Sequence, residues 1–147
     1  MDPNAEASGP PCQVLAYRPL PLLTCRIHAG FASPADDHVE GSLDLSLRFV
    51  RRPTCSFIAQ VEGDSMIGEG IRNNDYVLVD RSRDPRDGDV VFAIVDGDKT
   101  IRMFRHDRVS IWLESANPGF PPIPWRDGCE VWGVISSVHR DQALVTR

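Results

Sequence analysis

Between residues 55 and 138 the chain repeats one pattern: apolar runs of strand length, each closed by a turn signal. The runs fall at residues 57–62, 76–79, 90–95, 100–105, 109–113 and 130–138. The turns fall at Gly63, Asn73-Asn74-Asp75, Asp87-Gly88-Asp89, Asp96-Gly97 and Asn117-Pro118-Gly119. Runs this short cannot supply the long apolar stripes of a helical bundle, and their spacing predicts a compact, mostly β fold, barrel-like or sandwich-like. Asp96-Gly97 between two apolar runs is a hairpin signal, because both residues tolerate the positive φ that a tight two-residue turn demands. The length of 147 residues fits one core plus a tail, and an apolar share of 41% suits a globular chain.

The amino-terminal part reads differently. Residues 1 to about 20 are rich in Pro, Gly, Ala and Asp, with Gly9-Pro10-Pro11 and Arg18-Pro19-Leu20-Pro21. Prolines remove backbone donors, so this stretch is expected to be a mobile arm that builds neither ladder nor helix. Residues 22–31 read as extended. Ser33-Pro34-Ala35-Asp36-Asp37 carries an N-cap serine, a first-turn proline and first-turn acids, which predicts a short helix over residues 34–41. Leu43, Leu45 and Leu47 alternate with polar residues, and a helical turn fits them as well as a strand does.

Charge and cysteine usage exclude several functions. The net charge is −5 with both signs interspersed, and Arg51-Arg52 is an isolated pair, so direct sequence-specific duplex DNA binding is not expected. Cys12, Cys25, Cys55 and Cys129 form no C-x-x-C pair, so neither a metal site nor a cofactor is expected. No apolar run reaches membrane-spanning length and no secretory signal opens the chain, which points to a cytoplasmic protein with reduced thiols.

The chemistry concentrates at Gly63-Asp64-Ser65-Met66, a serine in a glycine-led turn directly after the 57–62 run. A serine hydroxyl is a weak nucleophile and needs a base. His28, His38, His106 and His139 fall in no triad pattern. The other solution is a lysine kept neutral by burial on an adjacent strand.

With that serine, the ordered motifs Asp75 and Val77-Leu78-Val79-Asp80, Gly88-Asp89-Val90-Val91, Asp96-Gly97 and Val131-Trp132-Gly133-Val134-Ile135 resemble the LexA/UmuD group of self-cleaving serine–lysine peptidases. The segment 29–40 and Leu43-Asp44-Leu45 are similar to the UmuD branch around its cleavage site. LexA repressors carry an amino-terminal DNA-binding domain, for which the residues before position 30 are too few. The resemblance implies Ser65 as nucleophile and Ala29-Gly30 as the scissile bond. It divides the chain into an arm, residues 1–29, and a peptidase and dimerisation domain, residues 30–147. It further implies a homodimer that cuts its own arm when RecA filaments form, and whose product joins a DinB-family (UmuC-like) polymerase subunit for translesion synthesis. A signal peptidase shares the serine–lysine chemistry, but the missing membrane segment argues against it.

One residue departs from the family pattern. The family's general-base lysine stands five residues after the hairpin glycine, and counting from Gly97 gives Arg102. A guanidinium stays protonated at any working pH and cannot take the serine's proton. Lys99 is the only lysine in the chain. It sits an odd number of residues from 102, roughly 10 Å along a strand at about 3.3 Å per residue, so its side chain is expected on the opposite face unless a bulge shifts the register. Arg102 marks either a homologue that binds without cutting or a replacement that preserves the uncut form.

Overall fold

The computed structural model describes residues 19–23 and 39–142. It contains two antiparallel sheets. Strands β1 (Pro19–Leu23) and β2 (Val39–Asp44) pair with each other. The main sheet comprises β3 (Ser56–Gln60), β4 (Tyr76–Asp80), β5 (Val90–Val95), β6 (Asp98–His106), β7 (Ile111–Glu114), β8 (Ile123–Pro124) and β9 (Cys129–His139). Its strand order is β3-β4-β9-β5-β6-β7-β8, with the last long strand inserted between β4 and β5. Helix α1 (Leu45–Phe49) and 3-10 turns at Pro53–Cys55 and Ile67–Glu69 complete the described chain. The mostly β expectation therefore holds.

Local chemistry explains most of these elements. Asp96 and Gly97 have φ of 51° and 88°, the paired positive values of the hairpin turn, and β5 and β6 zip from Val95↔Asp98 to Val90↔Met103 without a register shift. Asp44 ends β2 and caps α1, its carboxylate accepting from Ser46 N at 2.8 Å and Leu47 N at 3.2 Å. Two apolar clusters lie on opposite faces of the central strands. Val61, Met66, Ile71, Val77, Val79 and Phe92 form one, and Val91, Ala93, Phe104, Leu113 and Val134 the other. Gly133 stands where β9 crosses β4: an added Cβ would lie 2.6 Å from Val79 Cγ1 and 2.8 Å from Asp80 O, so only glycine allows the approach.

Three local expectations need correction. Residues 39–41 of the expected 34–41 helix belong to β2, where Gly41 pairs with Leu22 and Val39 with Leu23; the rest of that helix lies outside the described residues. Pro19 and Leu20, expected in a structureless arm, open β1; a strand with one open side leaves the missing proline donor harmless. In both places long-range pairing overrides the local signals. Asp80, at the end of β4 where a solvated carboxylate would be expected from the adjoining Arg81 and Arg83, is buried and accepts from the Ser82 amide at 2.8 Å and hydroxyl at 2.6 Å.

Candidate active site

Ser65 lies in the connection between β3 and the 3-10 turn. Gly63, at φ 95°, reverses the chain after β3, and its amide donates to Asn73 Oδ1 at 2.9 Å. Met66 anchors the other side of the serine, since it is 2% exposed within the first core cluster. The connection after β7 braces the turn from a third direction. Ala116 N donates to Ser65 O at 3.0 Å, and the Ser115 hydroxyl donates a short bond to the same oxygen. Asn117 Nδ2 donates to Asp64 O at 3.0 Å, and Gly68 N donates to Ala116 O at 2.9 Å. Sequence reasoning treated Asn117-Pro118-Gly119 only as a turn; no local signal ties it to a serine fifty positions earlier.

The structure brings Arg102 to Ser65. From the middle of β6 its Nη1 donates to Ser65 Oγ at 2.7 Å, to Thr100 Oγ1 at 2.9 Å and to the Ile101 carbonyl at 2.9 Å. Phe120 covers the guanidinium, with Cζ 5.6 Å from the ring centroid. Burial pushes the guanidinium below its ordinary range, yet arginine stays a cation at working pH. Among the described residues it makes no ion pair, and its buried Nε has no hydrogen-bond partner.

Lys99 pairs across the ladder with Ile94, whereas Arg102 pairs with Val91. With no bulge between them, the odd offset separates their faces; Lys99 stands exposed at the rim of the same cleft. The cleft measures about 810 Å³ and runs between β3 and the start of β6, with Ser65, Arg102, Phe120 and Trp132 in its walls. Among the described residues β3 is the outer strand of the main sheet on this side, and none of them pairs with its outer edge, which borders the cleft. An extended segment laid there would gain main-chain hydrogen bonds and present a peptide bond near the serine. The expected scissile residues Ala29 and Gly30 lie outside the described residues.

Ser65 sits in a braced turn at the wall of the cleft, and its partner side chain is in hydrogen-bond contact with the hydroxyl. That partner donates to the oxygen and cannot accept its proton. Among the described residues no group of three His, Cys, Asp or Glu side chains could hold a metal, and no helix is long and apolar enough to cross a membrane.

Comparison with known proteins agrees with this geometry. Residues 21–136 match the peptidase S24-like family. The chain is 36% identical over 126 residues to Protein ImpA of Salmonella typhimurium, spanning 84% of this chain and 86% of that protein. It is 35% identical to Protein SamA from strain LT2 of the same species, spanning 84% and 87%. The LexA repressor of Acetivibrio thermocellus is 35% identical over 115 residues, covering 78% of this chain and 54% of the repressor. The chain belongs to the peptidase S24-like family and, within it, to the LexA/UmuD group.

Proposed function

We propose that the chain is a UmuD-like protein of SOS mutagenesis whose serine site is laid out for cutting its own Ala29-Gly30 bond and is silenced by Arg102. In this reading residues 1–29 are the arm and residues 30–147 the peptidase and dimerisation domain. The protein acts in the cytoplasm as a homodimer. RecA filaments stimulate cleavage in chains that carry the base, and the shortened dimer joins a DinB-family (UmuC-like) polymerase for translesion synthesis. Similarity to ImpA and SamA over nearly their whole length supports the UmuD-like branch over the repressor branch.

The observation that carries the reading is the 2.7 Å contact from Arg102 Nη1 to Ser65 Oγ. An arginine donor in this place fixes the hydroxyl while offering no lone pair for its proton. The same contact favours a second reading for this chain: a dimeric binding subunit that works uncut. General-base catalysis typically supplies about 10² to 10⁴-fold in rate, so its loss converts a slow self-cleavage into none on a practical timescale. Incubation with activated RecA filaments tests the proposal. The chain should remain at 16.4 kDa while the Arg102→Lys variant yields a fragment beginning at Gly30. Release of that fragment by the parent chain would show that Arg102 is no block.

A further inference from the structure

A second cleft, of about 510 Å³, lies where α1 meets the start of β3, the end of β4 and the Ser136-Ser137 stretch of β9. Three arginines line it: Arg48 from the last turn of α1, Arg51 just beyond it, and Arg83 from the segment after β4. In sequence these belong to two separate runs, each of which alone is an ordinary solvated pair. The fold joins the runs, since Arg52 Nη1 donates to Ser82 Oγ at 2.9 Å and Arg81 N to Cys55 O at 2.8 Å. In a chain of net charge −5, this is a local excess of positive charge.

Among the described residues this charge is only partly neutralised. Asp80 lines the cleft, but its Oδ1 already accepts two bonds from Ser82. Arg83 meets Asp89 only at 3.7 Å, and Arg51 makes no ion pair among the described residues. Ser56 and Ser137 lie in the same wall, the Ser137 hydroxyl sharing a hydrogen bond with His139 Nε2 at 2.9 Å. Neighbouring guanidiniums with a nearby hydroxyl suit a phosphate oxygen cluster.

One wall is aromatic. Phe49 is 40% exposed, stands edge-on to His139 with ring centroids 5.6 Å apart, and carries the Arg48 guanidinium 5.6 Å from its own centroid. A free phosphate needs no such platform, whereas an unstacked nucleobase next to its phosphate does. The basic region is too small for the extended footprint of a duplex reader, and it holds two or three phosphates at most. We infer that the Arg48/Arg51/Arg83 cleft binds single-stranded nucleic acid without sequence preference, its guanidiniums taking phosphates and Phe49 stacking a base.

Fluorescence anisotropy of a labelled oligodeoxythymidylate with the full chain at low salt tests the inference. Binding is expected to be weak and saturable. Its log affinity should fall against log salt with a slope of about −2, for roughly three phosphates at about −0.7 each. Arg51→Glu should weaken it about tenfold and flatten the slope by about 1. Phe49→Ala should weaken it at least about fivefold, as for loss of one stacked base. Thermal unfolding of both variants checks that they stay folded; Arg51 is exposed, so its variant keeps the test decisive if Phe49→Ala does not fold. The inference is overturned by absence of binding, or by equal affinity of parent and Arg51→Glu. It is also overturned if duplex or a poly-glutamate peptide binds as well as the single strand. Unchanged affinity in a folded Phe49→Ala, with inorganic phosphate as an effective competitor, would reduce the cleft to a phosphate site and overturn it too.

Discussion

Gly68 and Ala116 approach each other so closely that a methyl group on Gly68 would overlap the Ala116 carbonyl oxygen, the same atom that accepts the Gly68 amide at 2.9 Å. This contact docks the serine turn onto the connection after β7, next to the bonds that hold Ser65 O. Gly68→Ala must push the two segments apart, and overpacking of this kind costs about 1–3 kcal/mol. Placed in an Arg102→Lys background, it should also slow self-cleavage at least about tenfold, because a displacement on the order of 1 Å at a nucleophile is that costly. Chemical denaturation and gel-based cleavage rates check both effects.

Asp75, 1% exposed, is held by Arg140 through two bonds of 2.7 Å and accepts from the Arg72 amide at 2.8 Å. Replacing it with alanine leaves that amide unpaired and the guanidinium with its bond to Gly70 O alone, and should cost roughly 3 kcal/mol. A denaturant titration reads the change.

The same carboxylate sets a pH dependence. Its bond to Arg140 holds its pKa below the ordinary carboxylate value. A folded-state pKa below the unfolded one means that the stabilisation is present above the unfolded value, about 3.9, and is lost as pH falls through the depressed value. The parent chain should lose stability on acidification below about pH 4 more steeply than Asp75→Asn, measured by thermal melts across that window. Equal slopes would remove Asp75 from the account.

Lys99 is the remaining candidate for a base, and the ladder from Val95↔Asp98 to Val90↔Met103 has no bulge that would turn it toward Ser65. Lys99→Ala in the Arg102→Lys background should cleave at the rate of Arg102→Lys alone, within about twofold. A loss of cleavage on this change would transfer the role of base to Lys99.

Much of this was readable beforehand because it is local. The β5–β6 hairpin follows from Asp96-Gly97, whereas the place of Arg102 beside Ser65, 37 positions away, follows from the resemblance to the LexA/UmuD group, whose lysine stands five residues after the hairpin glycine. The features that were not readable are long-range. Pro19-Leu20 and the 39–41 segment carry arm and helix signals, and only their pairing makes them strands. Arg140 finds Asp75 from 65 positions away, and Ser115, Ala116 and Asn117 reach the serine turn from beyond β7. Phe120 covers Arg102 for the same reason: it lies in the connection between β7 and β8, and β7 neighbours β6 in the sheet.

The central claim is that Arg102 alone separates this chain from a self-cleaving one. Its most direct test is intact-mass spectrometry of the parent and Arg102→Lys proteins incubated side by side at alkaline pH, where a lysine base is increasingly neutral. The account predicts a fragment beginning at Gly30 from Arg102→Lys, at a rate at least about 10²-fold above the parent, which stays whole. Cleavage by the parent at a comparable rate, or no Gly30 fragment from either protein, would contradict it.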